Sequence, residues 1–506
     1  MCNFIIQFPL KTELWQSDVL NKRFEISRHI YNSLVTVTQK RYNEMIKTKV
    51  YRLNYAELTE VNKEIEKVNK HKKSTETELK IWNDKKKQIY DTLNDLRTQY
   101  GLNEYSFHAD VKNIQKHFKT NIDSFTAQKI ATTLWRSYKE LIFGDGENVH
   151  YKRYGSLNSL EGKSNKTGIR FVNGKLSWLG LEMPVIIDYK NQYETQALEN
   201  EISYCRIVRK YVRSKYKFYV QIVFKGAAPI KVNSETGKIK CFLGNGDVGL
   251  DIGTRTLAIA SSSDVKILEL ADRVQNIENQ KRLLLRKQDR SRRATNPGNY
   301  NPDGTIRNQG KKVIWNKSNH YIENQNRLKE LYRKQADVRK LQHEILANEI
   351  LELGDNIYVE TMNYAGLQKR AKKTEKNDSG KFIKKKRFGK SLANKAPAML
   401  LDIIDRKLQK YGRQLIKIDI WSVKASQYNH AEDSYKKKKL SERWNDIDGH
   451  KIQRDMYSAF LIMNVNEDLK SIDKVKCTDR FENFLKLHDK EVQRLIGNKN
   501  LSSIAI

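Results

Sequence analysis

The sequence predicts a multidomain protein of the α+β class. Its 506 residues exceed the length at which a single compact core is usual, so several domains are expected. Apolar residues recur at helical spacing from about residue 12 to residue 143, whereas residues 150–243 show the alternation of β-strands. Farther along, short apolar strands and long helical segments follow one another. These patterns predict a helical part, a β-rich part and a mixed α/β part.

The charge of the chain predicts a polyanionic partner. Lysine and arginine number 95 and acidic residues 60, which gives a formal net charge of +35. An excess of this size favours association with nucleic acid. A basic scaffold or ribosome-associated protein has the same composition, so the charge alone does not separate an enzyme from a structural RNA-binding protein.

The four cysteines indicate a reducing compartment. Cys2, Cys205, Cys241 and Cys477 are scattered along the chain, and no two of them form a CxxC pair. This spacing argues against a disulfide framework and against a zinc site made of thiolates. The N-terminus lacks the pattern of a signal peptide, and no apolar run approaches the ~18 residues of a membrane span. We therefore expect a soluble cytoplasmic protein with no membrane partner.

The helical part contains a predicted hairpin. Apolar residues recur at helical spacing over residues 58–68 and 79–96. Thr75 and Glu78 form a capping-box pair at the start of the second segment. A third helix is expected after Thr126. The other faces of these helices are rich in lysine, which suits either a solvated bundle or a bundle that faces nucleic acid.

The β-rich part carries aromatic and basic residues in alternation. Residues 204–226, YCRIVRKYVRSKYKFYVQIVFKG, predict two strands joined by a polar turn near Ser214. Tyrosine and arginine on an exposed face of such a sheet can stack on bases or bind phosphates. The same aromatic residues can instead pack the core of a small barrel. Both interpretations stay open at the level of the sequence.

An acidic residue in a strongly apolar strand is the first candidate for chemistry. In GLDIGTRTLAIAS, residues 249–261, strand alternation places Leu250 and Ile252 on one face and Asp251 on the other. The next residues predict a turn and a second strand. A carboxylate on a central strand is destabilising unless its charge is compensated. A divalent cation would compensate it, and a salt bridge or an edge position are the alternatives.

Two further acids have comparable settings. In DNIYVETMNY, residues 355–364, alternation puts Glu360 at the end of a strand, and Asp455 starts the helical pattern of KIQRDMYSAFLIMN. Hard carboxylate oxygens suit Mg²⁺ or Mn²⁺. Two such cations bridged by carboxylates activate water and stabilise the leaving oxygen of a phosphodiester. That chemistry would account for the charge at position 251.

The order and context of these three acids resemble the RuvC-type, RNase H-like nuclease domain, and more narrowly that of TnpB proteins and miniature type V CRISPR effectors. GLDIGTRTLAIAS, IYVETMNYAGL and RDMYSAFLIMN resemble the three RuvC segments in order. The resemblance implies that Asp251, Glu360 and Asp455 are the catalytic acids and the metal ligands. It implies two Mg²⁺ ions as cofactors, with Mn²⁺ as an alternative. It is clearest over residues 150–464.

The resemblance also implies a domain order. In chain order the expected parts are a wedge strand (1–11), a helical recognition lobe (12–148), a wedge β-barrel (149–245), the first part of the RuvC α/β nuclease domain (246–423), an inserted target-nucleic-acid-binding segment (424–450), the last part of the RuvC domain (451–470) and a C-terminal tail (471–506). The segments YGSLNSLEGKSNKTGIRF and YCRIVRKYVRSKYKFYVQIVFKG resemble the wedge. The helical lobe fits the family by position only. Residues 371–390 are expected to form a basic loop.

The insert departs from the family pattern. Relatives usually carry a zinc ribbon of paired CxxC motifs there, but this insert has no cysteine and offers only His430 and His450 as candidate zinc ligands. Zinc is therefore not expected. An insert without metal is favoured, packed around Trp444, Ile447 and Ile452.

A second departure follows the third acid. The family usually has asparagine two residues after that acid, and this chain has Tyr457. Because Asp455 itself is retained, cleavage is expected to survive, with altered loading of the second ion.

The resemblance implies an RNA-guided DNA endonuclease. Such a protein binds a guide RNA, recognises a short DNA motif beside its target and cleaves DNA at the RuvC site, while guide–target pairing supplies the sequence specificity. Guide RNA and target DNA are the expected partners of a monomer, or of a homodimer on one guide. A guide-dependent DNA-binding protein that does not cut and a basic RNA-binding scaffold are the alternatives. Retention of all three acids favours the nuclease, whether its origin is a transposon or a CRISPR locus.

Overall fold

The computed structural model of the chain describes residues 3–70, 76–144, 146–233, 235–237, 239–240, 242–307, 310, 313–369, 388–437 and 442–497. The predicted capping residue Thr75 and most of the predicted basic loop, together with Cys2 and Cys241, lie outside these residues. The chain divides into two compact units, Met1–Ile230 and Lys231–Ile506. Both units mix helices and strands, which agrees with the predicted multidomain α+β class.

The first unit contains the predicted helical part. Its helices are α1 (Leu14–Lys47), α2 (Lys49–Lys70), α3 (Glu76–Gln99), α4 (Glu104–Lys116), α5 (Ser124–Phe143) and α6 (Gln192–Leu198). Helices α2 and α3 pack together through a small cluster of buried apolar residues, which are Leu58, Val61, Ile89 and Leu93. The predicted helical hairpin is therefore confirmed, and α5 is the helix expected around Thr126.

Two antiparallel sheets make up the β-rich part of the first unit. Their strands are β1 (Asn3–Pro9), β2 (Ser159–Glu161), β3 (Arg170–Val172), β4 (Lys175–Trp178), β5 (Leu181–Pro184), β6 (Ile202–Val212) and β7 (Lys215–Lys225). The strands pair in the orders β1-β7-β6-β2 and β3-β4-β5. Strands β6 and β7 are joined by Arg213 and Ser214, whose φ angles of 49° and 66° make the tight turn predicted near Ser214.

The β-barrel predicted for the wedge is not closed in the described residues. Strands β1 and β2 lie at opposite edges of the four-stranded sheet. On one side the two sheets are linked by an isolated bridge between Leu10 and Val185, next to the ends of β1 and β5. Closure would further require β2 to pair with β3, but these strands of three residues each belong to different sheets. The predicted alternation of β7 is nevertheless confirmed, because Phe218 and Val220 are buried whereas Lys217 is exposed and Tyr219 is partly exposed. The aromatic pattern therefore belongs to an open sheet with two different faces.

A five-stranded mixed sheet forms the centre of the second unit. Its strands are β8 (Asp247–Ile252), β9 (Thr256–Ser261), β10 (Val265–Glu269), β11 (Asn356–Glu360) and β12 (Ile416–Ile418). They lie in the order β10-β9-β8-β11-β12. Strand β9 runs antiparallel to β8 and β10, whereas β8, β11 and β12 are parallel. The second strand of the motif around Asp251 is therefore β9, as predicted.

Helices cover both faces of this sheet. They are α7 (Val274–Thr295), α8 (Asn319–Leu353), α9 (Tyr364–Gln368), α10 (Gly389–Lys395), α11 (Pro397–Gln409), α12 (Ile420–Val423), α13 (Arg454–Met463) and α14 (Lys474–Ile496). Val248, Leu250 and Ile252 of β8 share one apolar core with residues of α8 and α11. Residues of α13 and α14 form a second core with β9 and β10. The alternation predicted for β8 is therefore confirmed.

The segments expected to form the insert and the tail are folded. The insert contains strands β13 (Tyr428–Asn429), β14 (Ser434–Tyr435) and β15 (Trp444–Ile447), and β16 (His450–Gln453) begins at its last residue. The four strands pair as two short hairpins. In the segment expected to be a tail, Cys477, Phe484 and Leu495 of α14 are buried in the core with α13. No helix in the described part of the chain is long and apolar enough to cross a lipid bilayer.

Candidate active site

Asp251 lies on the central strand of the five-stranded sheet. Strand β8 is flanked by β9 and β11, and Asp251 is opposite Ala258 of β9. Its side chain leaves the sheet on the face opposite to Leu250 and keeps partial exposure to solvent. An edge position therefore does not explain its charge. Among the ion pairs of the described residues, none contains Asp251.

Glu360 reaches the same place from the neighbouring strand. Strand β11 runs parallel to β8, with Val359 opposite Leu250. Glu360 and Asp251 are the next residues on the two strands, so their side chains leave the same face at backbone positions about 5 Å apart. Glu360 is the last residue of β11, and its carboxylate accepts a hydrogen bond from the backbone N–H of Ala425.

Asp455 comes from helix α13, which packs closely against β8. A Cβ added to Gly249 would lie 2.0 Å from the carbonyl oxygen of Ala459 and 2.6 Å from the backbone nitrogen of Met463. Glycine is therefore needed at position 249 for the helix backbone to approach the strand. Asp455 precedes Ala459 by one helical turn, and Asp251 follows Gly249 by two residues on the same face. The close packing brings the two carboxyl groups toward each other.

The three carboxyl groups interact electrostatically. The pKa of Asp251 is raised well above its usual value, first by burial among protein atoms and then by the negative charges of Asp455 and Glu360. The positive charge of Arg454 opposes this rise. Burial raises the pKa of Glu360 to about 7, although the N–H of Ala425 stabilises the ionised form. Asp251 thus lies within electrostatic reach of both Asp455 and Glu360, in a setting that favours a bound cation.

Two arginines form ion pairs with the carboxylate of Asp455. Nε and Nη2 of Arg454 donate hydrogen bonds to its Oδ1 at 3.1 and 3.0 Å. Nη1 of Arg443 lies 3.6 Å from its Oδ2. In this arrangement, no group of three or more His, Cys, Asp or Glu side chains in the described ranges is placed to hold a metal ion. The three acids are neighbours, but their oxygens do not share one coordination site as they stand.

Tyr364 adds an unpaired hydroxyl beside the acids. It is the first residue of α9, four residues after Glu360. Its Oη is buried, and within the described part of the chain it has no hydrogen-bond partner. Burial, and then the charge of Asp251, raise the pKa of Tyr364 to about 12. Because buried hydroxyls normally have a partner, this one marks a polar space beside Asp251 that a water molecule or a ligand would satisfy.

The donor set suits a divalent cation of the magnesium type. Three carboxylates from β8, β11 and α13 offer hard oxygen ligands, which Mg²⁺ and Mn²⁺ prefer. Asp251 and Glu360 have no ion pair with a described residue, and only Asp455 is engaged by arginine. The residues therefore fit such a cation in chemical type, provided that Asp455 exchanges its arginine partners for the cation.

Tyr457 has a structural role next to the cluster. Its side chain is 1% exposed. Its Oη accepts a hydrogen bond from the backbone N–H of His430 at 3.1 Å and lies 2.7 Å from Nδ1 of the same residue. Tyr457 is two positions after Asp455 on α13, so the two side chains leave the helix on different sides. Tyr457 thus joins α13 to the insert and adds no ligand at Asp455.

The two histidines considered as zinc ligands have different settings. His430 is buried against Phe481, with ring centroids 4.5 Å apart, and burial lowers its pKa. His450 is exposed at the start of β16. Of the residues predicted to pack the insert, Ile447 and Ile452 are buried in the core with α13. Trp444 is partly buried, with its ring beside His488. Packing of the insert around apolar residues is therefore confirmed.

Four contributors to this cluster were not predicted, namely Gly249, Tyr364, Arg443 and Arg454. Gly249 did carry a usable signal, because glycine inside a strand often indicates close approach of another backbone. Arg454 is adjacent to Asp455 in sequence, but neighbouring opposite charges are common on solvated helices and carry little information. Tyr364 follows Glu360 in a segment with no distinctive pattern, and only the tertiary structure shows that its hydroxyl is buried.

Comparison with known proteins gives only distant similarity. No protein-family model matches the chain, and no curated protein matches it by sequence. A solved CRISPR-Cas12f ternary complex is similar at TM-score 0.24 and 11% identity, over 92% of this chain and 99% of that chain. A solved Cas12i complex with crRNA and double-stranded DNA is similar at TM-score 0.21 and 8% identity, over 81% of this chain and 56% of that chain. Such low TM-scores leave the cluster to be judged from its own geometry.

Proposed function

We propose that the protein is an RNA-guided DNA endonuclease whose catalytic acids are Asp251, Glu360 and Asp455. The observation that carries the proposal is the convergence of these acids from β8, β11 and α13, where the charges of two of them raise the pKa of Asp251. The resemblance of the three segments to RuvC supplies the RNA-guided part. Guide RNA and target DNA are the proposed partners, and Mg²⁺ is the proposed cofactor.

The proposed nuclease domain comprises residues 246–423 and 451–470. These ranges contain all five strands of the central sheet and helix α13. Residues 424–450 are the proposed target-nucleic-acid-binding insert. The helical lobe and the sheets of the first unit are proposed to bind the guide.

The chain contributes position and charge to the proposed reaction. Two divalent cations held by the three carboxylates would activate a water molecule and stabilise the leaving oxygen of the phosphodiester. Asp251 and Glu360 stand on adjacent parallel strands, and Gly249 lets α13 pack directly on that sheet. Ligands on a rigid sheet and helix are held more accurately than ligands on loops. The hydroxyl of Tyr364 is available to orient a water molecule beside Asp251.

Cation binding is expected to strengthen by about tenfold between pH 6 and pH 8. Burial raises the pKa of Glu360 to about 7. At pH 6 the carboxyl group is therefore protonated in most molecules, and a cation must displace that proton to bind. The raised pKa of Asp251 acts in the same direction. Titration of the protein with Mn²⁺ at several pH values, followed by the EPR signal of free Mn²⁺, measures the change. Equal affinity at pH 6 and pH 8 would contradict this account of Glu360.

An exposed basic stripe on α7 supports a nucleic-acid partner. Arg282, Arg286 and Arg290 recur every four residues, and all three are exposed. Side chains at this spacing follow one face of a helix. Arginines presented in this way suit contacts with a phosphate backbone.

Changing Arg282, Arg286 and Arg290 together to glutamine is expected to weaken nucleic-acid binding. Each lost phosphate contact lowers the slope of log affinity against log salt by about 0.7–0.9, so the slope should fall by about 2–3. Fluorescence anisotropy with a labelled oligonucleotide across a series of KCl concentrations measures this slope. The matched control removes the same charge from exposed positions elsewhere, which are Lys470, Lys486 and Lys490. Equal slopes for the two triple variants would contradict a specific role for α7.

The proposed function is tested by the RNA that co-purifies with the protein. Sequencing should find one structured RNA species with a variable segment, and a plasmid that matches this segment should be cut in Mg²⁺. The Asp251→Ala variant should carry the same RNA and leave the plasmid intact. Retention of RNA with no guide-dependent retention of DNA would support a basic RNA-binding scaffold instead. A repeat-derived RNA would indicate a CRISPR origin, and a transposon-end RNA would indicate a TnpB-like origin.

A guide-dependent DNA-binding protein that does not cut is the second candidate. The observation that favours it is that Arg454 and Arg443 contact the carboxylate of Asp455. In this arrangement no group of three or more acidic, histidine or cysteine side chains among the described residues is placed to bind a metal ion. Tight, guide-dependent binding to an intact plasmid in Mg²⁺ would support this candidate over the nuclease.

A further inference from the structure

We propose that Arg454 competes with a divalent cation for Asp455, and that the guanidinium released by cation binding then contacts a phosphate of the nucleic acid. The inference rests on the proposed function, because it concerns the same acids. It assigns Arg454 two successive partners, a carboxylate before the cation binds and a phosphate afterwards. Arg454 thereby has two roles in the proposed reaction. It opposes cation binding by Asp455, and it later binds a phosphate.

The first support is the geometry of the pair. Two nitrogens of Arg454 donate to the same oxygen of Asp455, at 3.1 and 3.0 Å. The Arg454 side chain is 13% exposed and that of Asp455 is 19% exposed, so solvent screens the pair less than it screens a surface ion pair. Charge-assisted hydrogen bonds of this kind are stronger than neutral ones. A cation can therefore bind Oδ1 of Asp455 only by displacing a substantial interaction, and at Oδ2 it would be repelled by the same guanidinium charge.

The second support is the charge balance of the cluster. Asp251 and Glu360 have no ion pair with a described residue, so within the described residues Arg454 and Arg443 are the cationic groups paired with this cluster. The charge of Arg454 acts on Asp251 as well as on Asp455. Arg454 thus offsets part of the negative charge of the acids, as a bound cation would. Once a cation neutralises the acids, the attraction that holds the guanidinium on Asp455 is reduced.

The third support is the anchoring of Arg454. It is the first residue of α13, directly before Asp455, and its Nη1 donates to the carbonyl oxygen of Glu442 at 3.1 Å. This bond can persist when the contact to Asp455 breaks, so the guanidinium stays at the edge of the cluster. Its remaining donors have the planar fork that matches two oxygens of a phosphate. The scissile phosphate must lie at the same acids if the proposed function is correct.

The test measures Mn²⁺ binding without nucleic acid. The EPR signal of free Mn²⁺ is titrated with the wild-type protein and with Arg454→Gln, Arg443→Gln and Asp251→Asn. Arg454→Gln is expected to bind Mn²⁺ about three- to tenfold more tightly than wild type. Arg443→Gln should show a smaller gain, because its contact is longer at 3.6 Å and its side chain is 41% exposed. Asp251→Asn should lose the binding.

The outcomes separate this inference from the proposed function. If Mn²⁺ binds to wild type and is lost in Asp251→Asn, but both arginine variants bind as wild type does, competition is refuted while the cation site stands. If wild type binds no Mn²⁺ at these acids, the inference and the proposed function are both refuted. Arg443→Gln keeps the test informative if Arg454→Gln does not fold, since Arg443 is more exposed. Tighter binding in a folded Arg454→Gln supports the competition, whereas tighter binding in Arg443→Gln alone, with Arg454→Gln folded and unchanged, would refute the role of Arg454.

The phosphate contact is tested separately at saturating Mn²⁺. Arg454→Gln should then cut a matched target at least about tenfold more slowly than wild type, despite its tighter cation binding. Arg454→Lys keeps the charge without the planar fork and should recover part of the rate. A rate for Arg454→Gln equal to that of wild type would refute the phosphate contact.

Discussion

Asp251→Asn is expected to reduce target-DNA cleavage by at least about 10³-fold and to leave nucleic-acid binding unchanged. Asparagine has nearly the same shape as aspartate, but it supplies no negative charge to a cation. The basic stripe on α7, which is proposed to hold the phosphate backbone, does not include Asp251. Single-turnover cleavage in Mg²⁺ measures the loss, and a gel-shift titration of the same protein–RNA complex measures the binding.

The matched control for this variant is Asp264→Asn. Asp264 precedes β10 and pairs with Lys266 at 2.5 Å, away from the three acids in sequence. The Asp264→Asn variant should cleave at the wild-type rate.

Thermal unfolding of Asp251→Asn in the absence of a cation should show a midpoint no lower than that of wild type, because the substitution removes a charge that burial disfavours. Cleavage by Asp251→Asn at more than about a tenth of the wild-type rate would contradict the assignment of Asp251.

Gly249→Ala is expected to lower the free energy of unfolding by about 3 kcal/mol or more and to abolish cleavage with it. The added methyl would stand 2.0 Å from the carbonyl oxygen of Ala459, and that atom belongs to a helix backbone that cannot rotate away. Helix α13 would have to move off β8, which would carry Asp455 away from Asp251. Chemical denaturation measures the stability, and Mn²⁺ titration of the folded variant measures the cluster.

Gly253→Ala is the control for this prediction. It places the same methyl four residues later, where the nearest atoms lie 3.6 Å away in ordinary contact. It should unfold within about 1 kcal/mol of wild type. If Gly249→Ala were as stable as Gly253→Ala and still bound Mn²⁺, the close packing of α13 on β8 could not be what positions Asp455.

Local patterns predicted the parts of the fold that depend on local periodicity. Alternation placed Leu250 and Asp251 on opposite faces of β8, and the structure has them so. The same reasoning placed Glu360 at the end of β11 and Asp455 at the start of α13. These features follow from the period of two residues in a strand and from helix-forming segments with an apolar face.

Long-range relationships could not be predicted in the same way. Whether β2 meets β3 to close a barrel depends on the path of the chain between them, and alternation within each strand is the same in an open sheet. Arg443, the residue before β15, pairs with Asp455 of α13 through a tertiary contact. No rule of sequence spacing specifies such a contact. The segment that forms α14 was predicted to be a tail, but Phe484 and Leu495 of this helix are buried in the core with α13.

The location of Mn²⁺ in crystals of the protein would show whether Asp251, Glu360 and Asp455 form one cation site. Anomalous scattering at the manganese edge identifies the ion without reference to activity. We expect a peak within about 2.0–2.2 Å of carboxylate oxygens from Asp251, Glu360 and Asp455, with Arg454 turned away from Asp455. A Mn²⁺ peak elsewhere in the molecule, with the Arg454–Asp455 pair intact and no ion at the three acids, would contradict it.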